Sequence, residues 1–171
     1  MGHTLVTRFT PESIRLLHDL MDPLGANKIP FGRNCDREAA NRELDYHLTL
    51  FHWPKTMDDW YLPMLRNFRP NSCCIRITGV HAMWAEEGSR LVYFSAEPGE
   101  GFRDLTTAVE ETLGRRCGSF LHITLAVSKA EGEADRVLET VREQVTFPFE
   151  LEVEGLDLYH IWRPTKKVRS L

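Results

Sequence analysis

The hydrophobic pattern of this chain switches repeatedly between two periods. Short runs rich in β-branched and aromatic residues, of the kind that form half-buried strands, occur at residues 5–9, 47–50, 74–80, 91–95, 122–125 and 150–156. Between them the period lengthens to that of a helix. Thr10 as N-cap and Pro11 at the first helical position open a segment that places Ile14, Leu17, Leu20 and Met21 on one face. A second helix over about 100–115 aligns Phe102, Leu105, Val109 and Leu113, and a third near 132–145 aligns Val137, Leu138, Val141 and Val145. A further helix is expected near 57–68, interrupted by Pro63. The chain therefore reads as one domain over 1–171 with two halves, about 1–87 and 88–171, each running strand, helix, strand, helix, strand.

The halves share a motif. His47-Leu48-Thr49-Leu50 returns as His122-Ile123-Thr124-Leu125, 75 residues on, each time within a strand. Given 13 Thr and 20 Leu in the chain, two such matches among seven histidines arise by chance at roughly 0.002. Later landmarks shift alike: Gly79 lies 32 residues after His47, and Gly155 lies 33 after His122, a difference that one β-bulge absorbs. The first half carries about 11 extra residues, placed most naturally within 22–42. That stretch holds Lys28, Pro30, Phe31, Gly32, Arg33 and Asp36, a mixture suited to folding over a site.

Residues i and i+2 of a strand share a face, so His47 and Thr49 stand together, as do His122 and Thr124, with their apolar neighbours turned to the core. A duplicated polar pair on the non-core face points to chemistry, because duplication alone preserves core positions more readily. An imidazole, with a usual pKa near 6.5, serves as acid or base at neutral pH. Two of them facing one phosphodiester can take a proton from the attacking oxygen and give one to the departing alkoxide, while the threonine hydroxyls donate to the non-bridging oxygens. This chemistry calls for no metal and no cofactor. Continued alternation places Phe51 on the same face, where it can stack a base, and turns His52 toward the helices. His81 and His160 fall in late strands with no assigned role, and His3 and His18 read as terminus and surface.

Composition narrows the partners. The chain is 42% hydrophobic and 27% charged, with a net charge of −4, which argues against coating long duplex nucleic acid. The charge is uneven: residues 1–85 carry +1 and residues 86–171 carry −5, so a polyanion is expected to dock toward the first half. Lys28, Arg33, Arg37 and Arg42 against Asp36 and Glu38 leave a local +2, enough for one or two phosphates. Cys35, Cys73, Cys74 and Cys117 include no C-x-x-C pair, and no secretory or myristoylation signal or membrane-length apolar run is visible, so the expectation is a cytoplasmic protein with reduced thiols. Adjacent Cys73 and Cys74 alternate faces on a strand, with one of them buried. A charged tail strand over 166–169 discourages edge pairing and favours a monomer.

The doubled H-x-T-x pattern resembles that of the two-histidine (2H) phosphoesterase superfamily, which includes cyclic phosphodiesterases and 2'-5' RNA ligase-like proteins. The repeat extends the likeness over about residues 4–163. The resemblance implies an α+β fold of bilobal, pseudo-twofold form, with two antiparallel sheets flanking a central cleft and helices outside. It implies hydrolysis of 2',3'-cyclic phosphate or 2'-linked phosphodiesters in short RNA or small nucleotides, with His47 and His122 as the acid/base pair and Thr49 and Thr124 as phosphate donors. A basic residue often follows the second motif in this superfamily, whereas this chain has Val127 and then Lys129. Lys28 or Arg33 is the expected substitute. Two alternatives stand beside the hydrolase: a nucleotide- or RNA-binding module with little chemistry, and an RNA 2'-5' ligase.

Overall fold

The computed structural model describes residues 3–22, 46–53, 72–84, 90–128, 132–160 and 167–170. They form an α+β fold. Strand β1 (His3–Phe9) leads into helix α1 (Pro11–Met21), and β2 (Thr49–Trp53), β3 (Cys74–Trp84) and β4 (Arg90–Pro98) follow. Helix α2 (Phe102–Leu113), β5 (His122–Ser128), helix α3 (Glu133–Gln144), β6 (Phe149–His160) and β7 (Lys167–Ser170) complete the order. The helix expected near 57–68 lies outside the described residues, as do Cys35 and the 23–45 stretch that holds Lys28 and Arg33.

The helices start and stop where local chemistry dictates. Ser13 donates its backbone N–H to the Thr10 hydroxyl at 3.3 Å, and Pro11 occupies a position whose N–H has no helical partner. Leu17 and Met21 are buried, while Ile14 and Leu20 pack partly buried against the core. In α2 the four expected residues, Phe102, Leu105, Val109 and Leu113, are all buried, and Gly114 ends the helix in the left-handed region at φ 65°. In α3 the buried residues are Ala134, Val137, Leu138 and Val141.

All strand pairings are antiparallel, and the strands join in one continuous sheet of order β2-β1-β6-β3-β4-β5, with β7 also paired to β6. This differs from the expected pair of sheets, because β6 is long enough to serve both sides. Its first residues pair with β3, Ile75 opposite Leu151, and its later ones pair with β1. Ile75, Ile77, Val92, Phe94, Ile123 and Leu125 on one face of the sheet belong to the buried cluster that also holds the apolar residues of α3. The other face carries the polar residues.

Bulges decide which residues reach that polar face. Between β1 and β2 the register runs Leu5–Phe51 and then Val6–Thr49, so Leu50 is the extra residue. Between β4 and β5 it runs Val92–Ala126 and then Tyr93–Thr124, so Leu125 is extra at the corresponding place of the second motif. The bulges between β3 and β4 and between β1 and β6 leave Thr78 and Glu154 extra, 76 residues apart. No helix among the described residues is long and apolar enough to cross a membrane. Cys73, Cys74 and Cys117 are free thiols, with Cys73 buried and Cys74 half-buried as alternation requires.

Candidate functional site

The first motif is held by Thr7. Its backbone N–H donates to the Leu48 carbonyl at 2.9 Å, and its buried hydroxyl accepts from the Leu48 N–H at 3.1 Å, so Leu48 is gripped at both polar groups. The second motif hangs on β4, where Ser95 lies opposite His122 and Tyr93 lies opposite Thr124. The free edges of the sheet then meet at one point, an antiparallel bridge between Leu48 and Ile123. Nearby, the Gly118 N–H donates to the Leu50 carbonyl at 3.0 Å.

This bridge brings the motifs together. Leu48 and Ile123 are both wholly buried, so the residues flanking them turn to the opposite, polar face. One step along an antiparallel register, His47 falls across from Thr124 and Thr49 falls across from His122. The two histidines are then diagonal neighbours on one face, about 7–8 Å apart by strand geometry. Both are half-buried, Thr49 is half-buried and Thr124 is exposed. The motifs thus adjoin at the closing edges of one sheet instead of facing each other from two sheets.

His122 sits in an aromatic corner. Its Nδ1 is 3.1 Å from the Phe120 carbonyl oxygen, and a carbonyl only accepts, so in the neutral ring Nδ1 carries the hydrogen and Nε2 the lone pair. The Phe120 ring stacks on the imidazole at 4.7 Å, and Tyr93 meets both rings edge-on at 5.7 and 5.3 Å. Phe120 is half exposed, unusual for so large an apolar side chain.

The β1–β6 side is ionic. The register places Arg8 opposite Gly155, on the polar face. Arg8 donates from Nε to Glu154 at 2.9 Å and from Nη1 to Asp157 at 2.8 Å, with Asp157 only 3% exposed. Gly155 leaves room for the guanidinium in this position, since a Cβ there would lie 2.5 Å from Arg8 Nη2 and the arginine would have to shift. Among the described residues, the guanidinium is thus engaged by two carboxylates. Arg8 carries no signal in the sequence, because only the strand register brings it near the motifs.

Two expectations are corrected by the bulge at Leu50. Phe51 is buried in the core cluster opposite Leu5, so it does not present a ring to the polar face for base stacking. His52 is exposed beside Thr4, with Nδ1 3.3 Å from the hydroxyl, instead of facing the helices. The extra residue shifts the alternation by one and exchanges the two faces. Lys28 and Arg33 lie outside the described residues. Among the described residues no three His, Cys, Asp or Glu side chains converge as metal ligands.

With that geometry in view, the chain is similar in fold to two solved structures. TT0787 of Thermus thermophilus superposes with a TM-score of 0.55 at 21% identity, covering 100% of this chain and 97% of its own. Usb1 of Kluyveromyces marxianus superposes with a TM-score of 0.50 at 11% identity, covering 98% and 97%. At these identities the likeness shows a shared fold. No protein-family model matches the chain, and no curated protein matches it in sequence.

Proposed function

We propose that the protein is a metal-independent phosphodiesterase acting on 2',3'-cyclic phosphate or 2'-linked phosphodiesters at the ends of short RNA or in small nucleotides. The observation that carries this reading is the Leu48–Ile123 bridge, whose flanking residues in the two motifs are the two histidines and the two threonines. The equivalent positions of the two motifs pair with each other there, and the bulges at Leu50 and Leu125 and at Thr78 and Glu154 recur at nearly the same interval. These correspondences support a duplicated, pseudo-twofold origin, with the reacting phosphorus on the axis.

The contact of Nδ1 with the Phe120 carbonyl supports His122 as the general base, since Nε2 is left to accept. Water gives its proton to Nε2 of His122 as its oxygen bonds to phosphorus. The bond from phosphorus to the 2' or 3' oxygen breaks, and His47, starting as imidazolium, protonates that oxygen. The proton balance is restored through solvent. Thr49 and Thr124 donate their hydroxyls to the non-bridging oxygens, where negative charge accumulates. Lys28 and Arg33 are the proposed sources of positive charge. A cytoplasmic location with reduced thiols suits an RNA-end or nucleotide substrate.

The test is incubation with EDTA and each 2',3'-cyclic mononucleotide, or a short RNA ending in cyclic phosphate, with products separated by chromatography. Turnover that disappears in both His47→Ala and His122→Ala is expected. Saturable binding of these compounds with no product would assign the site to binding alone, and joined RNA ends would assign it to ligation.

A further inference from the structure

Beside His122 the polar face continues across two more strands, and neither motif uses what stands there. Ser95 on β4 is opposite His122 on one side and Gly79 on the other, and His81 on β3 is opposite Tyr93. His81 is exposed, and its Nε2 lies 3.1 Å from Ser95 Oγ. Ser95 Oγ in turn lies 3.0 Å from Thr78 Oγ1 and donates to the Gly79 carbonyl at 3.3 Å. A Cβ at residue 79 would stand 3.1 Å from Nε2, tight enough that the imidazole would have to shift by a few tenths of an ångström. Tyr93 stands between the rings of His81 and His122, 5.7 Å from each.

We infer that His81, Ser95 and Thr78 form a subsite for a second phosphate group, a phosphomonoester dianion carried by the same nucleotide whose first phosphate lies between His47 and His122. The Ser95 and Thr78 hydroxyls, turning their hydrogens from the Gly79 and Ser95 carbonyls to the ligand, and the His81 imidazole supply donors to such a group. Two strand spacings separate β5 from β3, about 9–10 Å, a span that one ribose and its 5'-methylene can bridge. The opposite flank is built differently. There the position across from Gly155 and position 157 hold Arg8 and Asp157, and the guanidinium is already engaged by Asp157 and Glu154. A doubly phosphorylated ligand is therefore directed over β3 and β4. At the far end of β3, Arg76 lies opposite Glu97 and Glu150.

This inference rests on the proposed reading of the site as one for phosphate esters, but its test needs no turnover. Equilibrium binding of adenosine 2'-monophosphate and adenosine 2',5'-bisphosphate is measured by titration calorimetry. The full-length protein should bind the bisphosphate at least about tenfold more tightly, the worth of one charge-assisted contact. In His81→Ala and in Ser95→Ala that ratio should fall to near one, with an unchanged melting curve showing that the fold persists. Gly79→Ala, which crowds the His81 imidazole where it meets Ser95, should lower the ratio by a smaller amount. A ratio near one in the unmodified protein, or a ratio preserved in His81→Ala, overturns the subsite, as does failure to bind either compound. Cyclic-phosphate hydrolysis, tested separately, decides the activity alone.

Discussion

Leu48 and Ile123 pair across the closing edges of the sheet, and each is the second residue of its own H-x-T-x motif. The same position of the two motifs thus meets across the sheet's edges. With the antiparallel register continued one residue to either side, each histidine has the other motif's threonine as its cross-strand neighbour. On the proposed reading, these are the groups that remove one proton and deliver another.

The first expected outcome concerns the pair itself. His47→Ala and His122→Ala should each lower turnover at least about 100-fold, the usual size of acid/base catalysis, with little change in circular dichroism. An active variant of either kind removes the two-histidine mechanism.

On the proposed reading, Thr49→Val and Thr124→Val remove hydroxyls that donate to charge developing during reaction. Each should reduce kcat by about 10- to 100-fold with a smaller effect on KM. An effect confined to KM would mean that the hydroxyls serve ground-state binding only.

Thr7 tests how the first motif is held. Thr7→Val leaves the buried Leu48 N–H without its 3.1 Å acceptor and should cost about 1–3 kcal/mol in denaturant unfolding. Thr7→Ser retains the acceptor and should recover most of that loss. Equal losses in the two variants would assign the effect to packing by the methyl group.

The Arg8–Asp157 pair should behave as a mostly buried ion pair. Arg8→Ala should destabilise the fold by about 2–3 kcal/mol, because Asp157 stays nearly inaccessible while losing one of its partners, the guanidinium at 2.8 Å. Glu154, a more exposed partner, should matter less, with Glu154→Gln costing under about 1 kcal/mol. Thermal unfolding of the double variant Arg8→Ala, Asp157→Asn should show partial recovery over Arg8→Ala alone.

The thiols should resist alkylation. Burial pushes Cys73 and Cys117 up to about 12, with Cys74 and Glu110 respectively adding smaller negative fields, and Cys74 is raised as well. A raised thiol pKa leaves the nucleophilic thiolate scarce at pH 8, on the order of a thousandfold below a free cysteine for Cys73 and Cys117. Iodoacetamide labelling of a Cys35→Ser variant, followed by mass spectrometry, should show slow modification at both positions that accelerates only as pH rises toward 12. Rapid labelling at pH 8 would show that these thiols are not buried as described.

Local order was open to a reading of the chain. Thr10-Pro11 announced a helix start, the 3.6-residue spacing of Phe102, Leu105, Val109 and Leu113 marked a buried face, and the motif at 47 and 122 stood out by its own repetition. These features come from nearest-neighbour geometry, which a sequence carries directly. Strand register does not arise that way. The bulge at Leu50 buried Phe51 and exposed His52, opposite to simple alternation, because one unpaired residue reverses every side chain after it. Likewise Thr7, Arg8, His81 and Ser95 join the site from strands up to 149 residues from their partners, as Arg8 does with Asp157. The sequence by itself determined the elements and the two histidines proposed to carry the chemistry. Only the tertiary structure decided the company they keep, because which strand lies beside which is set by burial of the whole sheet and by no local signal.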